Sequence, residues 1–345
     1  LCGFGGGNFA SSMANISFFF PKAEKGNALA INAGLGNLGV SVVQFVVPLA
    51  ITAGVFGGLG GDPQTATVAG VKTTLWLQNA GFVFVPFIAA SAFAAWFGMN
   101  DIASMKSSFA DQAIIFKRTH NWIMCWLYTG TFGSFIGFSA AFPLLSKILY
   151  PEINALQYAF LGPLVGAVAR AAAGKPSDRI GGGRITFWVF IAMSLGVVGV
   201  LYAIGMKGNP SSFSIFFASF LFLFAASGVG NASTFQMIPA IMRKEVARLE
   251  PDLKEADLVK QSDKESAAII GFTSAAAAYG AFFIPKSFGT SIAATGGAEV
   301  ALYAFLGFYV SCIAITWWIY TRRGGLLHDI ERGIGASGTK AKGAA

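Results

Sequence analysis

The sequence predicts an all-α, polytopic membrane protein. Of its 345 residues, 54% are hydrophobic and only 12% are charged, whereas a soluble domain carries about 25% charged residues. The apolar residues gather in segments of roughly 20, the length that a helix needs to cross the hydrocarbon core of a bilayer. Glycine is abundant, with 43 residues, and small residues let helices approach one another closely in lipid. These observations favour a bundle of membrane-spanning helices.

Nine apolar segments are long enough to be membrane spans. Pro48 and Pro163 lie inside such segments, where a kink is tolerated because neighbouring groups satisfy the freed backbone. The nine predicted spans are residues 1–20, 28–54, 79–98, 120–145, 154–174, 184–206, 212–241, 266–285 and 299–321.

The basic residues predict how these spans are oriented. Cytoplasmic loops carry an excess of Lys and Arg. The connections on one side hold only Lys72, Lys147, Lys207 and Lys286, and nearly all the other basic residues lie in the alternate connections and the tail. That second side, including the C-terminus, is therefore predicted to be cytoplasmic. The net charge of +8 is explained by this asymmetry, so no nucleic-acid partner is expected.

Three polar stretches interrupt or follow the spans. Residues 99–119 form the longest polar cytoplasmic connection before six uninterrupted spans. Residues 242–265 carry dense charge of both signs and are predicted to form a solvated helix at the membrane surface. The tail after Arg323 is rich in Gly, Ala and Lys, a composition that predicts disorder.

Arg170 is the only charged residue in the interior of any predicted span. A cation at the centre of a bilayer costs at least about 2.5–3.5 kcal/mol, so it marks a functional site by default. The simplest partner is an anion that binds and leaves, which indicates an anion transporter. The alternative is that Arg170, close to the cytoplasmic end of its span, extends its guanidinium towards water.

Other functional classes find little support in the sequence. The 3 cysteines and 2 histidines are too dispersed for a metal centre, and no paired carboxylates or Ser/His/Asp set points to an enzyme. No cofactor is expected. An ion channel remains an alternative, but a channel favours rings of pore-lining polar residues.

The chain contains an internal echo. Residues 5–11 (GGGNFAS) recur as residues 228–234 (GVGNAST), and both segments lead to a proline and a basic residue. Transporters of the major facilitator type consist of two six-helix halves related by an axis along the membrane normal. If the echo marks equivalent helices, residues 1–20 form the fourth helix of a first half, and three helices precede them.

Three motifs carry a resemblance to a known family. Residues 174–184 (GKPSDRIGGGR) resemble the major facilitator loop motif, through Gly174, Asp178, Arg179 and Arg184. Residues 26–37 (GNALAINAGLGN) and 271–282 (GFTSAAAAYGAF) are similar to the two nitrate-signature segments of the nitrate/nitrite porter family. The resemblance runs from residue 1 to about residue 323. Ala33 stands where the family often has Gly, and Pro176 is unusual in the loop motif.

The resemblance implies a major facilitator fold with nine of twelve helices present and an N-terminal truncation. Residues 1–98 would be the remainder of the N-terminal half, 99–119 the cytoplasmic linker between halves, 120–323 the C-terminal half and 324–345 a cytoplasmic tail.

The resemblance also implies a binding site. Arg170 falls on the anion-binding arginine of the second half, Tyr128 on a hydrogen-bonding tyrosine, and Phe132 and Phe9 on rings that stack on a planar anion. Asn37 falls on the signature asparagine of the first segment. Gly271 and Ser274 of the second segment are counted with the substrate-binding residues, and the loop motif is expected to act as a gate latch.

The function implied is transport of nitrate and nitrite, with exchange of one for the other favoured. Apart from Glu299, the first residue of the last span, no Asp or Glu lies in the nine spans, although proton-coupled carriers usually have such groups in the bundle, and an unpaired cation resists crossing a low dielectric. The alternatives are nitrate/proton symport or a carrier for another small anion, such as a carboxylate. A monomer in the inner membrane, surrounded by lipid, is expected.

Overall fold

The protein is helical almost throughout. The computed structural model describes residues 22–68, 71–99, 112–154 and 157–330, with isolated positions between 9 and 20. The only sheet among these residues is a two-stranded hairpin. Its helices are α1 (Lys22–Ala50), α2 (Asn79–Phe82), α3 (Val85–Gly98), α4 (Thr119–Tyr128), α5 (Ser134–Leu149), α6 (Leu161–Ile180), α7 (Gly182–Gly205), α8 (Ser212–Leu249), α9 (Glu255–Ala278), α10 (Gly280–Thr295) and α11 (Glu299–Ile315).

Short segments complete the helical elements. A π-helical turn (Thr129–Gly133) joins α4 to α5, and a second one (Thr316–Thr321) extends α11. Two 3₁₀ turns span Gly57–Gly60 and Ala113–Lys117. The hairpin pairs β1 (Gln64–Val68) with β2 (Val71–Leu75) in antiparallel register, Gln64 opposite Leu75. It lies in the connection between α1 and α2 and was not predicted, although its Thr and Val residues suit a pleated strand.

Seven segments of the described chain are long and apolar enough to cross a membrane, which confirms a multi-pass membrane protein. They match seven of the nine predicted spans. The seven segments are Asn27–Ala50, Asn79–Gly98, Thr119–Leu149, Gly182–Gly205, Ser212–Leu249, Glu255–Thr295 and Glu299–Thr321.

The two remaining predicted spans have different outcomes. The span 154–174 corresponds to α6, which begins only at Leu161 and continues to Ile180. This late start places Pro163 in the first turn of the helix, where the missing N–H costs no hydrogen bond. The polar end of α6, with Lys175 and Asp178, lowers its mean hydropathy. Of the span 1–20, the structure describes only isolated positions from residue 9 onwards, so most of this prediction lies outside the described residues.

The predicted surface helix over residues 242–265 is wrong. Residues 242–249 continue α8, and α9 begins at Glu255, so only a short non-helical link separates the two helices. Glu265 is buried, and it accepts two hydrogen bonds of 2.7 Å from Arg118, at the start of α4. These hydrogen bonds raise the pKa of Arg118 above its ordinary value. Pairing with Arg118 therefore accommodates the buried Glu265, whereas most of the charges between residues 247 and 260 are exposed.

Glycines set the closest helix contacts of the bundle. A Cβ on Gly228 of α8 would collide with the carbonyl oxygen of Gly166 on α6, and a Cβ on Gly280 of α10 would collide with the backbone of Gly133. Such contacts supply the van der Waals packing that holds helices together in lipid. The approach of α8 to α6 brings together the two helices that carry the site.

Candidate functional site

The site is centred on Arg170, which lies in α6 with no exposed surface. Two glycines on α6, one on each side of Arg170, pack against neighbouring helices and keep α6 inside the bundle. Gly166, one turn before Arg170, faces α8, and Gly174, one turn after it, faces Ala30 and Asn27 of α1. The guanidinium therefore points into the bundle, and the alternative in which it reaches cytoplasmic water is wrong.

The guanidinium is only partly satisfied. Its Nη2 donates a 3.0 Å hydrogen bond to the hydroxyl oxygen of Tyr128. Within the described part of the chain, neither Nε nor Nη1 has a hydrogen-bond partner. A buried charge without compensation is costly, so these two donors favour the binding of an acceptor, above all one with negative charge.

Aromatic rings surround this guanidinium. Its central carbon, Cζ, lies 5.6 Å from the centroid of Phe9, 5.6 Å from that of Phe132 and 5.3 Å from that of Phe235. The Tyr128 ring stacks on both Phe132, at 5.1 Å, and Phe235, at 4.4 Å. Ring faces attract the cation, while they supply no hydrogen-bond acceptor that would satisfy its free N–H groups.

Phe235 was missed by the sequence reasoning. The Phe9 and Phe132 centroids are 5.7 Å apart and their planes are nearly parallel, at 8°, whereas those of Phe9 and Phe235 are 6.5 Å apart and their planes are tilted by 30°. Phe235 is therefore a third ring of the site, beside the nearly parallel pair. The signal that could have found it is its position directly after the second copy of the echo, residues 228–234.

The π-helical turn positions Tyr128 and Phe132. It begins directly after Tyr128 and contains Phe132. Two of its glycines lie at tight contacts: a Cβ on Gly130 would press on the Phe190 ring, and one on Gly133 would approach the carbonyl oxygen of Ala277. Single π turns inside helices occur frequently at functional sites. Here both side chains face Arg170, while the glycines of the turn keep close contact with adjacent helices.

Asn37 lies on α1, beside the same part of α6. One turn earlier on α1, Gly34 is tightly packed against Ala171 and the carbonyl oxygen of Ala167, the neighbours of Arg170. Asn37 is buried, and its Nδ2 has no hydrogen-bond partner among the described residues. The first signature segment therefore presents a free amide donor close to the level of Arg170.

The second signature segment is placed differently. Ser274 is buried on α9, but its hydroxyl donates a 2.6 Å hydrogen bond to the carbonyl oxygen of Ile270 in the same helix. Gly271, one turn earlier, is half-buried. The neighbouring Thr273 lies 3.8 Å from the Cys125 sulfur, which ties α9 to α4. The observed contacts of this segment are thus helix-packing contacts.

The loop motif lies at the far end of α6. Gly174 packs against α1, Asp178 is half-buried and Arg179 is exposed, while Arg184 lies half-buried in the first turn of α7. The link between the two helices depends on Gly181, whose φ of +104° suits glycine. The next residue, Gly182, donates its N–H to Gln236 of α8 at 2.9 Å. The motif therefore forms a tight turn docked on α8.

In the described part of the chain, no three His, Cys, Asp or Glu side chains gather as a metal site. The chemistry that this arrangement can perform is reversible binding of an anion. A helical membrane bundle with a buried guanidinium among interior aromatic rings, whose Nε and Nη1 have no partner in the described ranges, has the architecture of a carrier for small anions.

Comparison with known proteins agrees with this class. The nitrate/nitrite transporter NarU of Salmonella typhimurium is 48% identical over 328 residues, which cover 94% of this chain and 70% of that protein. The nitrate/nitrite transporter NarU of Escherichia coli is 47% identical over 329 residues, with the same two shares. The probable nitrate/nitrite antiporter NarK2 of Thermus thermophilus is 40% identical over 332 residues, again covering 94% and 70%. No family model matches the chain.

The chain therefore belongs to the nitrate/nitrite transporter family, as the signature segments predict. Its fold class is that of the major facilitator superfamily. The relatives are named as transporters, so the prediction that this protein is not an enzyme is confirmed.

Proposed function

We propose that the protein exchanges nitrate for nitrite across the membrane by alternating access, with Arg170 as the anion-binding cation. The observation that supports this most is the buried guanidinium, which is enclosed by Phe9, Phe132 and Phe235 and has two nitrogens without a hydrogen-bond partner among the described residues. Tyr128 and Asn37 complete the binding site. Gly271 and Ser274 are proposed to join this set only after the helices move, because the Ser274 hydroxyl donates to the Ile270 carbonyl oxygen in the described state.

The chemistry of the site suits a flat, monovalent oxyanion. Arg offers planar, forked donors that match the oxygens of a trigonal anion, whereas Lys offers a point charge. A planar ion can lie flat against ring faces such as those of Phe9 and Phe235, whereas a tetrahedral ion clashes sterically with them. Nitrate and nitrite are both planar and carry one charge, so the same site accommodates either.

Exchange, rather than uptake of one anion, follows from the electrostatics. Reorienting the site without an anion would carry the Arg170 charge uncompensated through a low dielectric. A bound anion neutralises the guanidinium, and only then does the reorientation become easy. The relative from Thermus thermophilus is itself named a probable antiporter, which supports this mode of transport.

Counterflow in proteoliposomes tests the proposal. With nitrite inside and nitrate outside, the purified protein should take up labelled nitrate and release nitrite in equal amounts. Vesicles without internal anion should take up little nitrate, whether or not a pH gradient is imposed. Equal uptake without internal nitrite, driven by protons, would support nitrate/proton symport instead, and uptake of a carboxylate in preference to nitrate would favour another small anion.

The proposal extends to placement in the cell. The asymmetry of Lys and Arg supports a protein of the inner membrane with a cytoplasmic C-terminus. We propose that residues 99–119 link two halves on this side, that residues 324–345 form a cytoplasmic tail, and that the loop motif with Gly174, Asp178, Arg179 and Arg184 latches the cytoplasmic gate. The protein is proposed to act as a monomer.

A further inference from the structure

Asn231 is a buried polar residue to which the account so far gives no role. It is the asparagine of the second echo copy and lies in the middle of α8. Its side chain has no exposed surface, and neither Nδ2 nor Oδ1 has a hydrogen-bond partner within the described part of the chain. Burial of an amide without partners costs free energy, and the position of this side chain relative to Arg170 indicates which group would satisfy it.

The helix geometry shows which way Asn231 faces. On a helix with 3.6 residues per turn, Gly228 and Thr234 lie roughly 60° to either side of Asn231. Gly228 contacts the carbonyl oxygen of Gly166, one turn before Arg170 on α6. The Thr234 hydroxyl lies 3.5 Å from that of Thr131 in the π-helical turn. Asn231 therefore projects between the two elements that carry Arg170 and Phe132.

The neighbouring turn of α8 reaches the site directly. Phe235 follows Asn231 by four residues and shares its face of the helix. Its ring centroid lies 5.3 Å from the Arg170 Cζ and 4.4 Å from the Tyr128 ring centroid. Since α6 and α8 touch at Gly166 and Gly228 and run in the same direction, Asn231 and Arg170 each lie about one turn beyond the contact.

We propose that Asn231 is a further specificity-determining residue that donates from Nδ2 to an oxygen of the bound anion. The inference rests on the proposed function, because it assigns a partner within the same site. Arg170 donates to the anion's oxygens from the forked N–H groups of its guanidinium, and the Asn231 side-chain amide supplies an uncharged donor from a second helix. Nitrate has one oxygen more than nitrite, so it depends more strongly on this additional donor.

Two variants of Asn231 test the proposal in counterflow and in nitrate binding to the purified protein. Asn231→Leu keeps the size of the side chain and removes its donors, and we expect the KM for nitrate to rise about tenfold or more, with a smaller rise for nitrite. Asn231→Asp keeps the shape but provides only acceptors and a negative charge, so nitrate binding at neutral pH should be lost. This second variant decides the question if the first fails to fold.

Asn121 provides the matched control. It is also fully buried with both amide atoms unpartnered among the described residues, but it lies two turns, about 10 Å, from Tyr128 along α4. Asn121→Leu should leave the KM for both anions unchanged. If folded Asn231→Leu and Asn231→Asp both keep the nitrate KM within about twofold, the proposal is overturned. Arg170→Lys, measured in parallel, distinguishes failure of the Asn231 proposal from failure of the proposed function. An unchanged nitrate KM in the Arg170→Lys protein contradicts the proposed function.

Discussion

Phe235 shows how much of the site depends on one side chain whose position only the fold reveals. Its ring lies against both the guanidinium of Arg170 and the ring of Tyr128, and it is almost fully buried. Replacing a ring face by an aliphatic side chain removes a cation–π contact and a stacking surface. The residue thus combines two tasks, which are to hold the guanidinium in place and to form one wall against a planar ion.

We predict that Phe235→Leu weakens nitrate binding about fivefold, because one stacking contact contributes roughly 1 kcal/mol. Binding to the purified protein, measured by calorimetry, checks this result. Phe220→Leu is the control, since Phe220 is equally buried on the same helix but about 22 Å away along its axis. Equal losses of affinity in the two variants would show that Phe235 acts only through general packing.

At the scale of elements, the contact between α6 and α8 positions everything that surrounds Arg170. The collision that a Cβ on Gly228 would have with the Gly166 carbonyl oxygen shows that the two backbones are already at their closest approach. Because the obstacle is backbone, it cannot move aside as a flexible side chain would. Any group added there must push the helices apart.

We therefore predict that Gly228→Ala destabilises the protein by about 1–3 kcal/mol, the typical cost of overpacking, and also weakens nitrate binding. Thermal unfolding in detergent measures the first effect. Gly307→Ala on α11 is the matched control, because a Cβ there meets nothing within 4 Å, and Ala favours a helix over Gly. A Gly228→Ala protein as stable as the control would contradict the packing argument.

The helix ends beside the polar connection before α4 depend on a different interaction. Arg118 and Glu265 form a bidentate pair with side chains only 10% and 1% exposed. Gln261 adds a 2.8 Å hydrogen bond to Glu265 from the same helix. The pair fastens the start of α4 to α9, at the point where the long polar connection ends.

We predict that Arg118→Met lowers the stability of the protein by about 3 kcal/mol, because it leaves a buried carboxylate without its cation. Arg243→Met is the control: its pair with Glu255 is substantially exposed, and such pairs contribute about 0–1 kcal/mol. Unfolding midpoints of the two variants give the comparison. Equal shifts of the unfolding midpoint in the two variants would contradict the stabilising role of the Arg118–Glu265 pair.

At the scale of the whole molecule, the long apolar segments predicted the spans, and the single charge of Arg170 predicted the centre of the site. Arg170 stood out because nothing else charged occupies the interior of a span. Tyr128 and Phe132 are four residues apart, so local geometry alone places them on one face. Family resemblance then related them to Phe9. Each of these inferences needed only local sequence or one motif.

The features that were missed depend on long-range packing. Phe235 lies in a helix that is apolar on all sides, so its sequence does not show which face meets α6. The burial of Glu265 was missed because hydropathy ends a span where charges begin, while the pairing with Arg118 lets the helix bury them. Sequence predicts which segments enter the membrane, but the contact at Gly228 and Gly166 decides which residues meet.

The central claim is that the guanidinium of Arg170 binds the transported anion inside the bundle. Arg170→Lys keeps the charge and removes the fork, and Arg323→Lys makes the same exchange at an exposed position to which no role is assigned. In nitrate titrations of the purified proteins, the account predicts about a hundredfold weaker binding for Arg170→Lys, the loss of two charge-assisted hydrogen bonds at about 1.5 kcal/mol each, with Arg323→Lys unchanged. Nitrate affinity of Arg170→Lys within about twofold of the unmodified protein would contradict it.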